Sequence, residues 1–175
     1  MNVRMKTKYL TVSAMLSALS VVVLVLGSLV EVLDISTAVM ASIFCAYAVI
    51  EMGGFYPWMI WLSTSVLGFI LLPIKTPVIF YALFAGFYPI LKEKLEKLKN
   101  PISYLFKLIV FHICLTGMVV LLWLFVPGFF TGEYFRWLPA VAYVACLVCF
   151  VMYDIALSRV ITLYIVKFRH RFRIK

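Results

Sequence analysis

Charges and side-chain amides are scarce in this chain. Of its 175 residues only 13% are charged, glutamine is absent, and asparagine occurs only at Asn2 and Asn100. Soluble domains of this length carry roughly a quarter charged residues. This scarcity excludes an ordinary soluble domain. Together with long apolar runs and a mean hydropathy of +1.12, it predicts an all-α membrane protein.

The chain also lacks the motifs of enzymes and metal sites. It contains no nucleotide-binding glycine loop, no zinc motif and no nucleophile elbow. The cysteines Cys45, Cys114, Cys146 and Cys149 all lie in apolar runs, where they serve as small packing residues. A membrane enzyme of lipid metabolism would need acids or histidines clustered at one interface. We therefore expect a protein without catalytic activity, cofactor or metal.

Turn residues and charges divide the chain into six hydrophobic segments. We predict a single membrane domain, residues 1–175, with six transmembrane helices at about 9–30, 37–50, 55–72, 77–91, 105–126 and 137–166. The second and fourth segments fall short of the roughly 20 residues of a span, so they are expected to rely on neighbouring helices. The first segment is too long for a signal peptide and is interpreted as a retained helix.

Basic residues predict the orientation. With a cytoplasmic N-terminus, twelve basic residues fall on the inner side and only Lys75 and Arg136 on the outer side. By the positive-inside rule, both termini are expected in the cytoplasm of a cell whose inner membrane holds the protein. The basic tail "KFRHRFRIK" is interpreted in the same way, as a segment that meets anionic lipid rather than nucleic acid.

Two charged features near the inner side have open interpretations. The stretch "KEKLEKLKN", residues 92–100, alternates acids and bases at helical spacing. It predicts a solvated extension of the fourth helix, with a helix along the interface or a partner site as alternatives. Asp154 lies within the last segment, where a charge is costly. We expect a structural contact with Lys107 or His112, because a proton relay would need more buried acids or histidines.

The first segment carries two ridges of small residues. "TVSAMLSALSVVVLVLG" places Ser13 and Ser17 on one ridge and Ala14 and Ala18 on the next. Small side chains let two helix backbones approach closely, which favours association in lipid. Because the ridges occupy the half of the helix expected in the cytoplasmic leaflet, we predict a partner-docking face. Packing against another helix of the same chain is the alternative.

The outer connections supply the candidate substrate contacts. Polar groups above an aromatic-lined cavity suit the capture of a small organic solute, and ordinary solvated loops are the alternative. The candidates are the polar and aromatic residues of these loops and of the outer halves of the helices: Glu31, Asp34, Lys75, Tyr81, Trp123, Glu133, Arg136, Trp137 and Tyr143.

This pattern resembles the substrate-binding S components of energy-coupling factor (ECF) transporters. The resemblance rests on the basic N-terminus, the six helices, the internal termini and the Ala14–Ala18 ridge. "EMGGFYPWMIWLSTSVLGFILLP" also looks like the family's glycine turn followed by a small-residue helix. The resemblance implies that the ridge docks on a transmembrane T component joined to two cytoplasmic ATPases. It further implies that the protein captures a vitamin-like micronutrient from outside. The subunit would then topple within the membrane and release the micronutrient to the inside.

The scarcity of amides is a departure from this family. Its binding sites usually contain several Asn, Gln, Arg or His side chains in the last three helices, so the expected solute here is aromatic or apolar, or the transport role has changed. The alternative function is a non-transport membrane scaffold resembling the cell-shape factor MreD. Such a scaffold would use the first-helix face and the basic loop but would need no external cavity.

Overall fold

The computed structural model describes residues 3–30, 33–97, 100–125 and 138–168. Regular structure in these ranges is helical, which confirms the all-α prediction for them. The helices are α1 (Val3–Ser28), α2 (Asp34–Glu51), α3 (Tyr56–Leu71), α4 (Thr76–Phe80), α5 (Tyr88–Leu95), α6 (Asn100–Phe125) and α7 (Leu138–Leu163), with π-helical turns at Tyr81–Ala85 and Tyr164–Phe168.

Four helical stretches are long and apolar enough to cross a membrane: Arg4–Ser28, Asp34–Glu51, Ile102–Val120 and Tyr143–Lys167. A shorter apolar helix covers Tyr56–Leu71. The chain is therefore a membrane protein, as its composition predicts. α1 and α6 begin about five residues earlier than the apolar runs do.

α1 and α3 run in one direction, and α2 and α7 run in the opposite direction. Tyr9 near the start of α1 packs edge-on against Tyr56 at the start of α3, with ring centroids 5.4 Å apart. The Ser13 hydroxyl oxygen lies 3.7 Å from the sulfur of Met52, just after α2. The hydroxyl of Tyr164, after α7, donates to Glu51 at 3.1 Å. We call the end of the bundle that gathers these residues the N-terminal end.

The turn between α2 and α3 is built on two glycines. Gly53 and Gly54 both have φ of +59°, a conformation that other residues rarely adopt. The Gly53 N–H donates to the Ala48 carbonyl at 3.0 Å, which caps the last turn of α2. Pro57 then occupies the first turn of α3, where its missing N–H costs nothing. The stretch "EMGGFYP" thereby reverses the chain within a few residues.

Between α4 and α5 the helical chain contains a π turn. The Gly86 N–H donates to the Tyr81 carbonyl at 2.7 Å, five residues back, instead of to Ala82. The indole N–H of Trp61 on α3 donates to the Ala82 carbonyl at 3.0 Å. A Cβ at Gly86 would lie 2.7 Å from ring carbons of both Trp61 and Tyr81. Glycine at this position therefore lets α3 reach the broken turn.

A proline frees a second carbonyl one turn further on. Pro89 has no N–H, so Ala85 lacks its regular helical donor. The hydroxyl of Tyr153 on α7 lies 3.2 Å from the Ala85 carbonyl and 2.9 Å from the hydroxyl of Ser42 on α2. Because an unpaired carbonyl inside a membrane protein is costly, this contact fixes α7 against the π turn and α2.

The buried apolar residues form two clusters. One joins α1, α2 and α4 with the π turn and contains Leu24, Ala38, Ala41, Leu72, Val78, Tyr81 and Ala85. The other joins α2, α5, α6 and α7 with the π turn and contains Ala46, Phe84, Tyr88, Phe111, Cys114, Phe150, Tyr153 and Leu157. The first cluster consists mostly of small or aliphatic residues, whereas the second is rich in aromatic rings.

The Tyr153 contact gives a prediction for stability. Tyr153→Phe leaves the Ala85 carbonyl without its donor, so we expect a loss of about 1–3 kcal/mol in unfolding free energy, measured in detergent micelles. In a Pro89→Ala background the cost should shrink, because alanine at this position restores a backbone N–H to the same carbonyl. An equal cost in both backgrounds would show that the Ala85 carbonyl does not depend on this hydroxyl.

Candidate functional site

A cavity of about 240 Å³ lies between α2, α4, α6 and α7 and reaches the π turn. Its position among the first turns of α2 and the second half of α6 places it toward the end of the bundle opposite the N-terminal end. The lining side chains that the structure describes are all aromatic, aliphatic or sulfur-containing: Ile35, Val39, Phe80, Phe84, Phe111, Cys114, Leu115, Met118, Ala145, Cys146, Cys149, Phe150 and Tyr153. Such a cavity suits an apolar occupant.

Four rings, which we call the aromatic floor, close this cavity toward the N-terminal end: Phe84, Tyr88, Phe150 and Tyr153. The Tyr88 centroid lies 5.2 Å from that of Phe84, 5.6 Å from that of Phe150 and 5.5 Å from that of Tyr153. The edge and tilted arrangements are the ones that ring quadrupoles favour. Tyr88 is fully buried and stands between the cavity and the charged residues beyond it.

Beyond the floor lies an ionic network of Lys92, Glu96, Lys107 and Asp154, drawn from α5 and its C-terminus, α6 and α7. Lys92 pairs with the Asp154 carboxylate, donates to the Asp154 carbonyl at 3.0 Å and lies 3.2 Å from Glu96. Lys107 lies 3.1 Å from Asp154 and 3.5 Å from Glu96. Two cations face two anions, so the formal charge of the network is zero.

Tyr88 connects the ionic network to the aromatic floor. Its hydroxyl donates to an Asp154 carboxylate oxygen at 2.7 Å, while its ring packs in the floor. The side chains of Lys92 and Lys107 are only 1% and 8% exposed, so their charges depend on Asp154 and Glu96 for compensation. The network thereby holds α5, α6 and α7 together and fixes the ring that closes the cavity.

A second concavity, the α1/α3 groove, has a volume of about 280 Å³. Its walls are Leu10, Ser13, Ala14, Ser17 and Ala18 from α1 and Met59, Ser63 and Leu67 from α3. Most of these side chains are small, so the backbone of another helix could approach closely along the groove. On α1 the groove runs from Leu10 in the first half of the helix to Ala18, just past its middle.

The two small-residue ridges of α1 have different surroundings. Ser13 and Ser17 are 4% and 5% exposed, and each hydroxyl donates to the carbonyl four residues earlier on α1. Ala14 and Ala18 are exposed. The serine ridge is therefore mainly packed within the chain, which was the alternative left open by the sequence. The alanine ridge remains available on the surface of the groove.

The candidate substrate residues that the structure describes are not brought together, and none lines the cavity. Asp34 begins α2 and is buried, and Tyr81 is fully buried in the aliphatic cluster. Lys75 donates to the carbonyls of Phe69 and Leu72, where it caps the end of α3. The Tyr143 hydroxyl lies 2.6 Å from His112 Nε2, at the surface between α6 and α7. Their roles as substrate contacts stay predictions.

The other candidates lie outside the described part of the chain. Glu31, Glu133, Arg136 and Trp137 are not among the described residues, and Trp123 is described only as part of the α6 backbone. Sequence reasoning missed the residues that do line the cavity. Part of this lining could have been predicted from helical periodicity, because Phe80 and Phe84 are four residues apart and share the apolar face of α4 and the π turn.

Three expectations about the charged residues can now be assessed. The pairing of Asp154 with Lys107 is confirmed, whereas His112 contacts Tyr143 instead. Within "KEKLEKLKN" α5 continues to Leu95, and Glu93 pairs with Lys97 at 2.8 Å, as the helical spacing predicts. Treating Lys92 as a solvated residue of this loop was wrong, because it follows Tyr88 by one helical turn on the buried face of α5.

No protein-family model, curated protein or solved structure matches this chain in the comparisons.

The ionic network gives a prediction with an internal control. Asp154→Asn leaves Lys92 and Lys107 with too few counter-charges, and breaking a buried pair in this way costs about 3–5 kcal/mol. We expect a loss of that size in the unfolding free energy in micelles. Glu93→Gln breaks the exposed Glu93–Lys97 pair and should cost less than about 1 kcal/mol.

A double variant tests whether Asp154→Asn loses stability through unbalanced charge or through altered packing. The double variant Lys92→Met with Asp154→Leu removes one buried charge of each sign and leaves Lys107 near Glu96. It should recover most of the stability that Asp154→Asn loses, because no buried charge is left unpaired. A double variant no more stable than Asp154→Asn would contradict this account, as would equal costs for Asp154→Asn and Glu93→Gln.

Proposed function

We propose that the protein is the substrate-capture subunit of an ATP-driven uptake transporter of the energy-coupling factor type. It spans the inner (cytoplasmic) membrane six times with both termini in the cytoplasm, in contact with membrane lipid. It binds a small aromatic or apolar solute from outside. Through α1 it docks on a transmembrane T component that is joined to two cytoplasmic ATPases, so the chain itself hydrolyses nothing.

The six spans of the proposal combine the long helices with two shorter passes. α3 provides one, and the helical stretch from residue 76 to 95, with its π turn, provides the other. Broken helices are tolerated in membranes where other groups satisfy the freed carbonyls, as Trp61 and Tyr153 do here. The excess of basic residues then favours a cytoplasmic location for the N-terminal end.

The observation that carries the proposal is the cavity. With the N-terminal end in the cytoplasm, the cavity lies in the outer half of the bundle, where a solute from outside would be bound. The described residues of its lining carry no charge, which agrees with a chain that has almost no side-chain amides. A scaffold of the cell-shape type would need a docking surface but no such cavity.

The groove supports the docking part of the proposal. In this orientation the exposed Ala14 lies in the cytoplasmic half of α1 and the exposed Ala18 near its middle, and Ser63 lines the same groove from α3. A coupling helix of a T component could approach this surface closely because its side chains are small. Basic residues at the same end of the bundle would lie near the cytoplasmic subunits.

The region inward of the cavity favours movement of the whole subunit over a straight channel. The aromatic floor and the ionic network lie between the cavity and the cytoplasmic end. A channel through this region would separate paired buried charges, which is costly. Reorientation of the subunit as a rigid body would deliver the solute without breaking these contacts.

Tryptophan substitutions in the groove test this function. We expect the native protein to purify with a T component and two ATPase subunits from its host. Ala14→Trp with Ala18→Trp should abolish that association and reduce ATP-dependent uptake at least tenfold, since the bulky rings fill the docking surface. Ser63→Trp should do the same from the α3 side.

The control variant introduces two tryptophans at the same level of α1 but on an adjacent face of the helix. Met15→Trp with Leu19→Trp substitutes two exposed residues that do not line the groove, and it should leave the association intact. Purification with cell-wall synthesis proteins instead of ATPases would contradict the transporter function and support the scaffold function. Survival of the complex in both groove variants would show that another surface docks the T component.

A further inference from the structure

The chemistry of the cavity wall restricts what can bind there. Thirteen residues of the described part of the chain line it; none of these is charged, and among them only Tyr153 carries a hydroxyl. That hydroxyl already contacts Ser42 and the Ala85 carbonyl. A charged or strongly hydrated ligand would lose its water without gaining a partner from this wall, which costs several kcal/mol for a charge. The bound part of the ligand is therefore uncharged.

The size of the cavity sets the size of the ligand. An apolar protein cavity of about 150 Å³ holds one benzene molecule. The cavity between α2, α4, α6 and α7 has about 240 Å³, so it has room for a second fused ring. The cavity is open on the side of Cys146 and Cys149, which are exposed, so a single ring would cover less of the lining and make fewer dispersion contacts with it.

The arrangement of the rings in the wall favours a flat ligand. Five of the lining residues are aromatic, and Phe111 stacks on Phe150 at 4.6 Å with an angle of 24° between the planes. The ring planes of Phe84 and Phe150 make an angle of 62°. The wall therefore contains rings in more than one orientation. Such a wall offers both stacking and edge contacts to a planar aromatic molecule, whereas an alkyl chain gains neither.

We infer that the cavity is a binding site for a neutral, planar, two-ring aromatic molecule whose polar substituents lie outside the apolar wall. This inference rests on the proposed function only for the identification of the occupant as the transported solute. The binding site itself is defined by the described side chains of α2, α4, α6 and α7 and of the π turn.

The test measures equilibrium binding to the full chain in lipid nanodiscs, with empty nanodiscs subtracted to remove partitioning into lipid. The probes are 2-acetylnaphthalene, which is neutral and bicyclic, the 2-naphthoate anion, and 1-decanol as an alkyl chain. We expect saturable binding of the neutral ketone and at least tenfold weaker binding of the other two. Equal or tighter binding of the anion or of decanol would overturn the inference.

Matched variants locate the binding. Ala145→Trp and Leu115→Trp fill the cavity from α7 and α6, and each should weaken ketone binding at least tenfold. Ala156→Trp and Val119→Trp add the same ring at exposed positions of the same helices that do not line the cavity, and binding should be unchanged. Equal binding by the filled and control variants would overturn the site.

This experiment is independent of the transporter test, because it uses the isolated chain. If the protein binds the ketone but purifies without ATPases, the binding site is supported and the proposed transport role is contradicted. Absence of ketone binding by a protein that does assemble with ATPases would overturn the inferred ligand class and leave the transporter proposal standing.

Discussion

The fold depends on the requirement that backbone carbonyls inside a membrane protein have hydrogen-bond donors. The π turn at Tyr81–Ala85 and the proline at position 89 withdraw the regular donors of Ala82 and Ala85. Trp61 and Tyr153 replace them from α3 and α7. A local defect in one helix therefore determines where two other helices pack.

The same defect shapes the cavity and its floor. A π turn contains an extra residue relative to an α-helical turn, so it changes the direction in which the following side chains project. Phe84 lies within the turn, and Tyr88 follows it at the start of α5. Both rings pack against Phe150 and Tyr153 of α7. The donor that satisfies Ala85 and the ring that lines the cavity are thus one residue, Tyr153.

Charge is concentrated where it can be compensated. The chain has few acids, and Asp154 is surrounded by Lys92, Lys107 and the Tyr88 hydroxyl. The cost of burying two lysines is offset only because Asp154 and Glu96 face them. Since Tyr88 joins this network to the aromatic floor, the charges also stabilise the cavity, although they make no contact with its interior.

The sequence by itself determined the membrane class, the helical segments and the small-residue ridges, because these follow from local composition and periodicity. It also indicated that Asp154 has a partner, Lys107 or His112, because an isolated charge in lipid needs one; the structure shows Lys107. It did not show that Lys92 is buried, since a lysine beside a charged loop has the same local pattern whether it faces water or protein. The predicted substrate residues followed loop polarity, whereas the cavity lies among apolar side chains.

Only the tertiary structure decided which ridge of α1 is free and which residues line the cavity. Ser13 and Ala14 are neighbours with equally small side chains, so their different exposure depends on where α2 and α3 pack. The cavity combines residues of four helices and the π turn that are far apart in the chain. Their proximity is set by the donors to Ala82 and Ala85 and by the ionic network. These contacts join residues that are distant in the chain, so the periodicity of a single segment does not predict them.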